Sequence, residues 1–150
     1  MIADYNNMPR VYSECRKKYF KDYQVLPTPH FGITDKKNYL GRFVGYKNRK
    51  KNAKHPITHP IISISADYDY DEEMFENLMV HEMIHYFIAF NHIKDDDDHG
   101  TAFMRMAQRL NDDYGLNITK KIDVCPKRHT SKNKTHKLLI KIKSFLSKLY

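Results

Sequence analysis

The chain has 150 residues, of which 41% are hydrophobic and 13% aromatic, enough apolar side chain for the core of one domain. This composition excludes wholesale disorder, and no apolar run approaches the roughly 20 residues that a bilayer-spanning helix needs. The net charge of +8 is concentrated at one end: residues 120–150 hold ten Lys and Arg against one acid, whereas the first 119 residues carry a net −1. This asymmetry predicts an anionic partner for the tail, and nucleic acid fits best.

Two further features bear on location and redox state. Residues 1–5 have neither the basic nor the apolar region of a secretory signal, so we expect a cytoplasmic protein. Cys15 and Cys125 are too few for a disulfide framework or a four-thiolate zinc site. We interpret each as a free, reduced thiol.

The first half of the chain predicts one helix followed by a small sheet. Pro9 suits the first turn of a helix, and apolar residues at helical spacing extend it from about residue 9 to 22. Three short strands are predicted at residues 30–34, 39–46 and 61–66. We expect residues 35–38 to form a hairpin loop, and the three strands to form an antiparallel sheet.

Beyond the third strand the apolar period changes from two to about 3.6 residues, which predicts helices. Residues 71–73 are acidic and suit a helix N-terminus, and the apolar stripe of this helix includes His81 and His85. Another helix is predicted from about Thr101, with Gly115 as its stop. The fold class is therefore α+β, with an N-terminal helix, a small three-stranded sheet, and then packed helices.

The strongest chemical signal is the sequence His-Glu-Met-Ile-His at residues 81–85. On a helix, residues four apart point the same way, so His81 and His85 can present two imidazoles to one Zn²⁺ ion. Glu82 would lie beside the metal, where it can take a proton from a zinc-activated water and pass it to a leaving amine. This is the zincin peptidase motif. The alternative, two hydrogen-bonded core histidines, is less favoured because unpaired buried rings would cost about 1–3 kcal/mol each.

A catalytic zinc needs a third protein ligand and one open position. The metzincin spacing would place a histidine at residue 91, but the chain has Asn91, and His92 is one residue out of that register. His99 is the favoured third ligand. It directly precedes a glycine and the start of the next helix, which would fold back against the helix that carries His81 and His85. The carboxylates of residues 95–98 compete with it, and we interpret Asp98 as a cap or a partner that orients an imidazole.

These residues resemble the SprT-like metalloprotease family, which includes the Spartan proteases that cut proteins crosslinked to DNA. The resemblance is carried by His81-Glu82-Met83-Ile84-His85, Asp98-His99-Gly100, Phe103 and residues 105–111. With the leading helix and the three strands, it covers roughly residues 8–118. It implies zinc bound by His81, His85 and His99, Glu82 as the general base, and a protein substrate held near DNA.

The sequence departs from the family pattern after residue 118. Bacterial members often continue with a zinc ribbon of two cysteine pairs, whereas Cys125 stands alone here. We therefore divide the chain into a SprT-like core, residues 1–118, and a basic tail, residues 119–150, with an amphipathic helix at about 133–149. Tail lysines predict salt-dependent phosphate contacts. A solvated helix face, a membrane surface or an acidic protein are the alternatives.

Three functions remain open on the sequence alone. The favoured one is a zinc metallopeptidase that acts on DNA-associated proteins, with a protein substrate and DNA as partners and no membrane. The second is a nucleic-acid-binding accessory protein in which zinc only joins two helices. The third is a zincin peptidase unrelated to DNA.

Overall fold

The computed structural model describes residues 1–23, 26–34, 39–47, 57–121 and 127–128. Three helices and three strands make up the core: α1 (Asn7–Tyr19), β1 (His30–Thr34), β2 (Gly41–Lys47), β3 (Ile57–Ser65), α2 (Glu72–Phe90) and α3 (Thr101–Tyr114). Two further two-residue strands are β4 (Tyr68–Asp69) and β5 (Lys127–Arg128). The predicted α+β class is confirmed. The predicted loop at residues 35–38, Cys125 and the predicted tail helix lie outside the described residues.

The sheet is mixed, and the predicted antiparallel arrangement is wrong. Its order is β1–β3–β2, with β1 parallel and β2 antiparallel to the central strand. The first two strands therefore form no hairpin pair, because the third lies between them. Burial explains the order: Ile62 and Ile64 are fully buried and need a covered central strand, whereas β2 exposes Arg42 and Tyr46 as an edge strand can.

Helix α2 is the central element of the fold. The side chain of Asp71 accepts the Met74 N–H at 2.7 Å and caps its N-terminus. We predicted one apolar stripe, but α2 packs against β2, β3, α1 and α3 and is buried on several sides. A helix surrounded in this way has no continuous polar face, so its polar residues at 81 and 82 lie inside the protein.

The chain beyond the sheet and helices returns to the core. Strand β4 pairs with β5, with Tyr68 opposite Arg128. This pairing was not predicted, because two-residue strands carry no periodicity. The division between core and tail at residue 118 stays a prediction. In the part of the chain that the structure describes, no helix combines the length and the apolar character that crossing a bilayer requires.

Candidate metal centre

Three histidine side chains meet in a cleft beside α2. The Nε2 atoms of His81, His85 and His99 form a triangle with sides of 3.2 Å (81–85), 3.1 Å (85–99) and 3.0 Å (81–99). Around a tetrahedral zinc with bonds of about 2.0–2.1 Å, ligand nitrogens lie about 3.3 Å apart, close to these values. The group can therefore hold a metal ion.

The charge state of the rings also suits a metal. Burial, with the neighbouring histidines adding to it, lowers the pKa of His81 to about 3 and that of His85 to about 4. Both rings are thus neutral at pH 7, and neutral imidazole is the form that binds a metal. Three imidazoles that face one another through Nε2 are not all paired by simple mutual hydrogen bonds, since a neutral imidazole has a single N–H and a single lone pair. Three lone pairs aimed at a common point fit Zn²⁺.

The apolar floor of the group is Phe103 of α3. Its ring centroid lies 4.8 Å from that of His81 and 4.7 Å from those of His85 and His99. Phe103 is fully buried, so it restricts the three imidazoles and keeps water from their lower side. Phe103 is among the residues that carry the family resemblance, but no contact between Phe103 and the histidines was predicted from the sequence.

His99 is positioned by two carboxylates that precede α3. The Asp95 carboxylate accepts the N–H groups of Ala102 at 3.0 Å and Phe103 at 2.9 Å, and Asp96 accepts that of Thr101 at 2.9 Å. They satisfy first-turn donors of α3, so these two carboxylates are not part of the histidine group. Of the two roles expected for Asp98, cap or partner of an imidazole, the capping of α3 belongs to Asp95 and Asp96 instead.

The same capping explains the glycine after His99. Gly100 is buried, and a Cβ at this position would collide with the carboxylates of both Asp95 and Asp96. The His-Gly step is thus required by the capping arrangement. Asp98 lies near enough to His85 for its charge to oppose the lowering of that ring's pKa by burial.

Glu82 lines the same cleft as the three histidines, together with Gly41, Arg42 and Phe43 of β2; the cleft has a volume of about 510 Å³. The Glu82 side chain is only 4% exposed, and the backbone N–H of Phe43 donates to its carboxylate. Burial raises the pKa of Glu82 to about 8, although the bond from Phe43 opposes the shift. Glu82 is thus a far stronger base than an exposed glutamate.

Strand β2 approaches Glu82 closely because residue 41 is glycine. A Cβ there would lie 2.7 Å from Glu82 Oε1 and 2.8 Å from Leu78 Cδ1. Glycine within a strand is typical of such a close backbone approach. Nothing in the sequence identified Glu82 as the group that comes close.

The residues predicted from the sequence fall into two groups. His81, Glu82, His85 and His99 all line the cleft, whereas the competing ligand His92 is exposed and is not part of the histidine group. Two contributions of the main chain were missed, since no side-chain pattern reveals them. They are the N–H of Phe43, which bonds to Glu82, and the backbone of Thr119, which accepts a hydrogen bond from the His81 ring.

Comparison with known proteins agrees with this geometry. The family model described as the SprT-like family matches residues 8–122, which contain α2, α3 and all of α1 except its first residue, together with Glu82 and the three histidines. A search of the curated proteins gives no match. Because the matched segment spans most of the chain, the protein belongs to the SprT-like family.

Proposed function

We propose that the protein is a zinc-dependent metallopeptidase. The observation that carries the proposal is the triangle of three Nε2 atoms, 3.0–3.2 Å apart, in the cleft that Glu82 also lines. His81, His85 and His99 would hold Zn²⁺ and leave a fourth position open. When bound, Zn²⁺ polarises a peptide carbonyl and makes water more acidic. Membership of the SprT-like family supports the same chemistry.

Glu82 is the proton carrier in this proposal. Its carboxylate takes a proton from water as the water oxygen bonds to the carbonyl carbon of the substrate. It then gives that proton to the amine nitrogen as the C–N bond breaks. Burial in the cleft makes the carboxylate basic. The charge of a Zn²⁺ ion bound by the three histidines would favour the ionised form of the carboxylate at neutral pH. The bond from the Phe43 N–H favours a position of the carboxylate beside β2.

Strand β2 also suggests where the substrate binds. It is an edge strand of the three-stranded sheet, and its first residues form one wall of the cleft. An extended peptide that runs along this edge would pair its main chain with β2 and pass Glu82 and the histidines. We therefore propose an unfolded or extended segment of a protein as the substrate.

The test combines metal analysis with a cleavage assay. We expect the zinc-loaded full chain to cleave labelled casein, and Glu82→Gln to retain zinc but lose at least about 100-fold in rate. Glu73→Gln, on the exposed first turn of the same helix, is the control and should cleave at the wild-type rate. Cleavage by Glu82→Gln at the wild-type rate would overturn the role of Glu82.

Action on DNA-associated proteins is a second part of the proposal, supported by the +9 balance of residues 120–150. Strand β5 ties Lys127 and Arg128 beside β4, so part of this basic segment lies against the core. Full-length variants with Lys132, Lys134 and Lys137 changed to Gln should bind single-stranded DNA more weakly. Their salt slope should fall by about 0.7 for each phosphate that a lysine no longer neutralises. Lys17→Gln, on α1, is the control; an unchanged affinity of the tail variants would remove DNA from the proposal.

One result would favour the accessory role instead. If the zinc-loaded wild type binds DNA but cleaves no protein with or without it, the metal would serve to join α2 to the segment before α3.

A further inference from the structure

A zinc ligand needs the correct tautomer as well as the correct position. The Nε2 atom of His81 faces His85 and His99, so its proton must reside on the other ring nitrogen, Nδ1, if Nε2 is to bind a metal. A hydrogen bond from Nδ1 to a fixed acceptor selects this tautomer and holds the ring plane. In this structure the acceptor is the backbone of Thr119, in a segment that lies against α2 one turn before His81, where Asn77 Oδ1 accepts the Asn117 N–H at 2.9 Å.

Thr119 lies in no helix or strand, so its carbonyl needs support from elsewhere. Helix α3 ends at Gly115, whose φ of 69° turns the chain back in the left-handed region that favours glycine. The returning segment, residues 116–119, then passes His81 on α2. A loop of this kind holds a carbonyl in place only if the residues on either side of that carbonyl are themselves bound to the rest of the protein.

Asn111 provides that anchor from the last turn of α3. Its Nδ2 donates to the Ile118 carbonyl at 3.0 Å, and its Oδ1 accepts the Ile118 N–H at 2.9 Å. Both main-chain groups of Ile118 are therefore bound by one side chain, and the Ile118 side chain is buried in the core with 3% exposed. Thr119 follows directly. On α2, Asn77 Oδ1 accepts the Asn117 N–H at 2.9 Å and so holds the first part of the segment 116–119.

We infer that Asn111 is a positioning residue of the metal centre: its amide holds Ile118, and thereby the Thr119 carbonyl that selects the metal-binding tautomer of His81. The inference rests on the metal-binding part of the proposed function and not on peptidase activity. It links the last turn of α3 to a ligand on α2 through main-chain atoms, so it assigns a role to a residue that touches neither metal nor substrate.

Zinc affinity is the main readout, measured on the full chain by competition with a chromophoric chelator. Asn111→Asp keeps the size and the acceptor but cannot donate to the Ile118 carbonyl, and we expect its zinc affinity to fall about 10- to 100-fold. Gln108→Ala is the matched control. Gln108 lies on the same helix, is exposed, and among the residues that the structure describes bonds to Asp112 across one turn, so its variant should bind zinc as the wild type does.

The tautomer itself is the second readout, and it does not depend on a variant that folds. Nitrogen-15 spectra of the histidine rings in the metal-free wild type should show His81 with its proton on Nδ1. In Asn111→Asp the fraction with the proton on Nε2 should rise. A wild-type His81 with its proton on Nε2 would overturn the inference, whether or not the variant folds.

The outcomes separate this inference from the proposed function. If the wild type binds no zinc, the metal centre itself is wrong. If the wild type binds zinc tightly and a folded Asn111→Asp binds it equally well, the metal centre stands and the role of Asn111 is wrong. Asn77→Ala should give a smaller loss of affinity than Asn111→Asp, because it releases only the Asn117 end of the segment.

Discussion

The Nε2 atoms of His81 and His99 lie 3.0 Å apart although the two residues are 18 positions apart in the chain. His81 belongs to the middle of α2, whereas His99 precedes α3 and has no helical geometry to aim it. The contact exists because Asp95 and Asp96 bind the first turn of α3 and fold the connection back over α2. The third vertex of the triangle is therefore set by the capping of α3.

Removal of His99 should abolish tight zinc binding. His99→Ala leaves two histidines on one helix, and we expect it to lose stoichiometric zinc after gel filtration and at least about 100-fold in zinc affinity. His92→Ala is the control, because His92 is an exposed histidine of the same connection. If His92→Ala loses zinc and His99→Ala keeps it, the assignment of the third ligand is reversed.

The sequence predicted which side chains come together in the cleft better than it predicted the order of the strands, and the reason is local geometry. His81, Glu82 and His85 are related by one helical turn, so their spacing alone determines how they are placed. The order of the strands depends instead on which strand is covered. The alternation of Ile62 and Ile64 with serines indicates which face of β3 is buried, but it carries no information on whether β3 lies at the centre or at the edge of the sheet.

Contacts made by the main chain could not be predicted at all. The N–H of Phe43 and the carbonyl of Thr119 belong to groups that every residue possesses, so no residue type marks them. The side chains that they contact were predicted only in part. Glu82 was expected to lie beside a metal, but its bond to a strand was not expected. The capping by Asp95 and Asp96 was missed for a related reason, because four consecutive aspartates look alike until the backbone path is known.

The metal-free protein should gain stability when Glu82 is made permanently neutral. Burial raises the pKa of Glu82 from 4.5 to about 8, so its stabilising contribution is complete below pH 4.5 and is lost as the pH rises through 8. Glu82→Gln imitates the protonated form at every pH. We expect it to be more stable than wild type by on the order of 2–4 kcal/mol at pH 8.5, with little difference near pH 4.5. Urea unfolding in the presence of a chelator measures this; equal stability at pH 8.5 would show that Glu82 ionises without cost.

Acid should destabilise the metal-free protein through the histidines. The folded pKa values of His81 and His85, about 3 and about 4, lie below the ordinary value of 6.5. Stability is therefore complete above pH 6.5 and is lost progressively as the pH falls from 6.5 through the folded values of about 4 and 3, because the unfolded chain binds the protons first. In the Glu82→Gln background, which removes the opposing effect, unfolding free energy should fall by about 2–3 kcal/mol between pH 6.5 and 5. A further His81→Phe change should flatten this slope, whereas His92→Ala should leave it unchanged.

The close approach of β2 to Glu82 predicts that Gly41→Ala impairs catalysis without removing the metal. The new methyl group would lie 2.7 Å from Glu82 Oε1 and 2.8 Å from Leu78 Cδ1, so the carboxylate must move. We expect the turnover number to fall at least about tenfold with zinc content unchanged, since small displacements of a catalytic group are costly.

A second glycine separates this effect from general overpacking. In Gly32→Ala, on β1, the added Cβ would meet Ser63 Oγ at 2.6 Å and no residue of the cleft. Both variants should lose about 1–3 kcal/mol of stability in urea unfolding, because both crowd the sheet. Only Gly41→Ala should lose turnover, with zinc affinity equal in the two proteins. If the two variants retain the same turnover, Gly41 serves only the packing of β2, and Glu82 has more freedom than its bond to Phe43 implies.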